Sequence, residues 1–359
     1  MSTAGAASPS PVSCVAKSDP SRALHLRGVT RAVSQSTGCA TFRSIGASDP
    51  SIGTPPLLFH GGPVMGTKQT GPLFITPIFW NPAGHPMDAS YKAIIDRYLT
   101  DVAADSGSHT NVFSTLNEYF GSNGTIRYKV KVTKAMNDTG PLPADGCDVA
   151  SNDTTNIYAD LSGYDACLDD SQVTAETNRM VASKGLPIDF AHIYVLFLPK
   201  HVESCFFAGS TLTDANACTI NHQPSAAYCA YHNQDTNAGT IYANMPFPIY
   251  LSPVGFTCGS NAHGHGVIES PNGNKDADTE ISPTSHELME AATDPDTVTG
   301  WYDRSGFENG DECAYVYGVF QGQSGTAYNQ VINGRHYLTQ EEFSNKDFAT
   351  TGKGCLPFE

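Results

Sequence analysis

The stretch ISPTSHELMEAATDPDTVTGWYD, from Ile281 to Asp303, gathers residue types that hold metal ions or move protons: His286, Glu287 and Glu290. On a helix His286 and Glu290 are four residues apart and stack on one face, with Cβ atoms ~6 Å apart, close enough to share one ion. Zinc accepts a carboxylate oxygen as well as an imidazole nitrogen at ~2.0–2.2 Å. Glu290 is therefore acceptable where a zinc-binding His-Glu-x-x-His helix carries its second histidine, and Glu287 occupies that helix's general-base position. The competing reading is an ordinary acidic helix whose one histidine hydrogen-bonds a neighbouring carboxylate.

Zinc needs a third ligand. Asp294 lies ~12 Å beyond His286 along a straight helix, too far to touch the same ion unless the chain folds back at Pro295. The segment GWYDRSGFENGDEC supplies Asp303, Glu308, Asp311 and Glu312 instead. A returning downstream segment is how one large zincin group completes its site, so Glu308 or Asp311 is preferred. Calcium is the alternative ion, because Glu290, Asp294, Asp303, Glu308 and Asp311 offer the oxygens it prefers.

These residues need rigid elements beneath them. Ser282-Pro283 predicts a helix start and Asp294-Pro295 a stop, leaving about three helical turns between them. Upstream, GPLFITPIFW reads as a buried strand. MDASYKAIIDRYLTDVAAD sets Tyr91, Ile94, Ile95, Tyr98, Leu99 and Val102 at helical spacing behind Asp88, a capping residue. VFSTLNEYF reads as further helix, TIRYKVKVT as a half-buried strand, AETNRMVASKG as a short helix and DFAHIYVLFLP as a strand. The expected fold is a single zincin-like, disulfide-containing α+β globular domain over residues 56–359, with an α/β layered arrangement as the variant. Residues 1–55, rich in Ser, Ala, Gly, Thr and Pro, read as a flexible leader or propeptide that Cys14 and Cys39 would pin locally.

Composition narrows the partners. With 20 Lys+Arg against 36 Asp+Glu the formal charge is −16, which repels nucleic acid and anionic membrane. No run approaches the ~20 apolar residues of a membrane span, and the N-terminus shows no signal-peptide core. The ten cysteines form no Cys-x-x-Cys pair, a scatter that suits disulfides in an oxidising compartment. Secretion is the expected localisation.

Several motifs together resemble the plant exordium or phosphate-induced-protein family. SHELMEAATDP resembles that family's His-Glu-Leu-Ala-Glu helix, GWYD its Ala-Trp-Tyr and ENGDEC its Glu-Ile-Gly-Asp-x-Cys. YCAYH, from Tyr228 to His232, is similar to its Tyr-Cys-Gly-Trp/Tyr-His, and LLFHGGPVMG to its Tyr-His-x-Gly-Pro-Leu segment. The resemblance implies an extracellular protein with structural disulfides, Cys313 pairing with Cys355. It supports His286, Glu287, Glu290, Glu308 and Asp311 as one set, and sets Asp294 aside because plant members tend to carry Asn there. It also brings in His232 as a ligand or transition-state donor. His263 and His265 in NAHGHG fall in a Gly/Asn loop that the resemblance does not cover.

Two functions fit. The first is a secreted zinc-dependent hydrolase, a metallopeptidase in type, with His286, Glu290 and Glu308 or Asp311 holding the zinc. Glu287 then serves as base and His232 assists. The second is a non-catalytic extracellular protein that binds a cell-wall glycan or a receptor and uses the acidic cluster structurally or for calcium.

Overall fold

The computed structural model describes residues 29–31, 33–34, 47–152, 161–206, 218–220, 228–249, 256–259 and 267–358. Cys14, Cys39, His263 and His265 lie outside these residues.

Helices α1 (Ala89–Ala104), α2 (Asp170–Lys184) and α3 (Lys275–Thr293) flank a seven-stranded mixed sheet. The strand His192–Phe197 sits at its middle, parallel to Leu73–Trp80 on one side and to Ile241–Met245 on the other. Side chains of this run alternate between two cores: Ile193, Val195 and Phe197 face one, and Tyr194 and Leu196 the other. A continuous apolar run is what a strand buried on both faces requires. Beyond Ile241–Met245 the strand Tyr228–Gln234 runs antiparallel, and Val29–Arg31 pairs antiparallel with that strand in turn.

The first core joins Tyr91, Ile95 and Leu99 of α1 to Ile281, Leu288 and Ala292 of α3 over Ile75, Val195 and Ala243 of the sheet. The second packs Val173, Met180 and Val181 of α2 on Ile78, Leu196 and Tyr242. The domain is thus mixed α+β, with helices on both faces of its main sheet.

Most local expectations hold. Asp88 accepts the amides of Ser90 and Tyr91 at 2.7 and 3.1 Å and starts α1. α2 extends AETNRMVASKG at its N-terminus, capped by Asp169, and ends at Gly185 with φ +58°, a left-handed angle that glycine adopts without a Cβ penalty. Val112–Glu118 forms a 3-10 helix, and of TIRYKVKVT only Thr125 and Val130–Val132 lie in strands.

The helix carrying the candidate ligands corrects the expected start. α3 begins at Lys275, where Asn274 accepts the Ala277 amide at 3.0 Å, so Pro283 lies inside it. Proline has no N–H and leaves the Thr279 carbonyl without its helical donor. Burial of the whole Ala277–Thr293 stretch compensates by packing.

Parts of the expected leader engage the domain: besides the Val29–Arg31 strand, Ser48 exchanges backbone hydrogen bonds of 2.7 and 3.1 Å with Cys355. Among the described residues four disulfides join Cys147–Cys167, Cys205–Cys218, Cys229–Cys258 and Cys313–Cys355, the last as expected. Among the described residues no helix is long and apolar enough to cross a membrane.

Candidate metal centre

Three elements meet at the centre: α3, the short helix α4 (Asn309–Glu312) and the strand Tyr228–Gln234. The helical repeat places His286 and Glu290 on one face of α3 and turns Glu287 about 100° away, toward the sheet. Along the strand, Ala230 packs in the α1/α3 core and Tyr231 in the α2 core. His232, two residues after Ala230, accordingly faces α3. Tyr302 and Asp303 lead the chain back, and Glu308 precedes α4 as its N-cap.

His286 Nε2 lies 2.8 Å from Glu290 Oε1 and 3.9 Å from Asp311 Oδ1. The short approach lacks the direction of a hydrogen bond, and His286 Nδ1 has no hydrogen-bond partner among the described residues. Glu290 Oε1 instead accepts the Asp311 amide at 3.0 Å. Two ligands of a tetrahedral zinc stand ~3.4 Å apart when each bond is ~2.1 Å, and the two His286 distances bracket that value. Gly310 makes this approach of α4 feasible, because a Cβ there would lie 2.8 Å from the His286 ring and 3.0 Å from Glu290 Oε1.

His232 forms the other half. Its Nε2 is 2.8 Å from the Asp294 carbonyl oxygen, which only accepts, so Nε2 carries the hydrogen. Nδ1 then faces Glu287 Oε2 at 3.1 Å and Glu290 Oε2 at 3.7 Å. Glu308 Oε1 lies 3.7 Å from the Nε2 edge of the same ring.

Two sets of three are therefore close enough to hold an ion, their ligand atoms all within 4.8 Å of one another: His286, Glu290 and Asp311, and His232, Glu290 and Glu308. All six site residues expected from the sequence converge here, and both downstream acids take part. Asp294 contributes its carbonyl to His232. Asp303 falls outside: its carboxylate accepts the Thr54 hydroxyl and the Ser305 and Phe307 amides. Burial pushes its carboxyl up, but those donors, Thr54 foremost, hold it below the usual range.

Charge is concentrated away from bulk solvent. Glu287, Glu290, Glu308 and both histidines are fully buried and Asp311 is 2% exposed. Burial drives the Glu290 carboxyl well above its ordinary range, and the neighbouring Asp311, Glu287 and Glu342 charges drive it further. A buried carboxylate in this position is neutralised by a proton or by a cation.

Sequence reasoning passed over Glu342. It sits on the strand Glu342–Phe343, which pairs with Cys355–Leu356 beside the Cys313–Cys355 disulfide. Burial raises its carboxyl, His286 opposes the rise, and Glu287 and Asp311 add to it, so it borders the same centre. Gln340 anchors this strand by donating from its side chain to the Gly310 carbonyl at 2.6 Å and from its backbone to the Ser282 hydroxyl at 3.1 Å. Two acids beside an aromatic in QEEF were the available signal.

No protein-family model matches this chain, and no curated protein and no solved structure matches it.

Proposed function

We propose that the chain is a secreted zinc-dependent hydrolase of zincin type, acting on peptides, with its ion between α3 and α4. The observation that carries the reading is the convergence of His286 Nε2, Glu290 Oε1 and Asp311 Oδ1, buried and within ion-binding distance of one another. An imidazole in the set favours zinc over calcium, which prefers oxygen ligands throughout. Bound zinc supplies Lewis acidity and lowers the pKa of a coordinated water toward ~7.

The protein's own residues do the rest. Glu287, next to His286 on the helix, takes the proton of the attacking water. His232 holds Glu287 across 3.1 Å and is itself fixed by the Asp294 carbonyl. Four disulfides support an extracellular setting, as does the resemblance to the exordium family.

Elemental analysis of the native protein tests the ion, with zinc bound as the expected result. Glu287→Gln should keep that zinc while peptide hydrolysis falls at least ~100-fold, the range of a lost general base. Native protein devoid of transition metal would sink the proposal.

One observation favours a second reading: Glu287 and His232 are fully buried and already engage each other, whereas catalytic zinc sites keep an open position. On this reading the protein is a non-catalytic extracellular binder of a cell-wall glycan or receptor, with the centre as a structural ion site. Calcium but not zinc would then raise the melting temperature, and His286→Ala would leave binding of cell-wall polysaccharide unchanged.

A further inference from the structure

We propose that the centre takes two divalent cations bridged by Glu290, the second held by His232, Glu290 and Glu308. This rests on the metal reading above and adds an ion to it.

The two sets of potential ligands have one residue in common, Glu290. Its oxygens are divided between them. Oε1 lies toward His286 and accepts the Asp311 amide, while Oε2, buried and without a hydrogen-bond partner among the described residues, lies 3.7 Å from His232 Nδ1. A carboxylate split in this way is suited to bridging two ions ~3.5–4 Å apart, the spacing of two-metal sites.

His232 is prepared as a ligand. Metal-binding histidines donate their other ring N–H to a carbonyl or carboxylate, which fixes the tautomer and turns the lone pair to the ion. The Asp294 carbonyl fills that role at 2.8 Å, leaving Nδ1, which faces Glu287 Oε2 at 3.1 Å and Glu290 Oε2 at 3.7 Å, as the ring nitrogen that can turn to an ion.

Charge points the same way. Glu287, Glu290, Glu308, Asp311 and Glu342 are all at most 2% exposed, and Glu290 and Glu342 have no Lys or Arg ion pair among the described residues. Buried charges persist when they are paired or bind metals.

The test is to strip the full-length protein with a chelator, titrate it with zinc and with cobalt(II), and measure bound metal by elemental analysis after gel filtration. Electron paramagnetic resonance then reads whether the cobalt ions are magnetically coupled. The expected result is two equivalents with a coupled cobalt spectrum, falling to one equivalent and an uncoupled spectrum in His232→Ala. One equivalent in the wild type overturns the second ion and leaves the first in place. No bound metal overturns both this inference and the hydrolase reading. Two equivalents retained in His232→Ala overturn the assignment of His232. Should the Ala variant fail to fold, His232→Gln, whose amide can still donate to the Asp294 carbonyl, replaces it, and the wild-type titration decides the stoichiometry on its own.

Discussion

Gly310 sets how closely α4 approaches α3. A methyl group there would press on the His286 ring at 2.8 Å, closer than real Cβ contacts run, and crowd Glu290 Oε1 at 3.0 Å. Neither neighbour is free to retreat in a packed interior. Gly310→Ala should therefore weaken zinc binding by at least ~10-fold, the scale on which disturbed ligand geometry is felt, as measured by competition with a chromophoric chelator. Unchanged affinity would mean that α4 does not contribute to the ion site. At this scale the sequence was most informative where ligands share one helix, because the spacing of His286, Glu287 and Glu290 fixes their relative directions. Asp311 and Glu308 were legible as a pair of downstream acids. Asp303 was overrated as a calcium ligand, because its oxygens are taken by turn donors on Thr54, Ser305 and Phe307, and no spacing rule reveals such local use. Glu342 went unseen because a strand pairing, not a motif, brings it to the centre.

α3 illustrates why element boundaries escaped. Ser282-Pro283 has the form of a helix start, yet the helix begins at Lys275 and its polar N-terminal part is buried. Tertiary packing overrode the local signal. Glu280 belongs to that buried part, and its carboxyl is pushed well above the ordinary value of 4.5 by burial, with Asp276 adding and Tyr91 opposing. A carboxyl raised in the fold contributes stability that is full below its unfolded pKa and is lost as pH rises toward the folded value. Glu280→Gln stays neutral at every pH and keeps the shape. It should melt with the wild type near pH 4 and above it at pH 8, by about 1–2 °C for each ~1 kcal/mol relieved. Equal melting at both pH values would show that Glu280 is ionised in the fold without cost.

At the scale of the whole molecule, one covalent link ties the acidic half of the centre together. Cys313 directly follows α4, and Cys355 lies on the strand paired with Glu342–Phe343, 42 residues later. Closing a loop of that length removes unfolded-state entropy worth about 4 kcal/mol. Ser51 adds to the same corner by donating its amide to the Glu312 carbonyl at 2.8 Å and its hydroxyl to the Ala314 carbonyl at 2.8 Å. An ion bound as proposed and the disulfide would restrain one segment: the ion would hold Asp311 against α3, and the disulfide holds the end of α4 against the Glu342 strand. Restraints on a shared segment are not additive, whereas independent sites add to within ~0.5 kcal/mol. In a cycle of wild type and a Cys313→Ala/Cys355→Ala variant, each with and without chelator, the variant should lose less stability on metal removal than the wild type does. Denaturant unfolding of the four species measures the difference, and strict additivity would place the ion and the disulfide in separate parts of the fold.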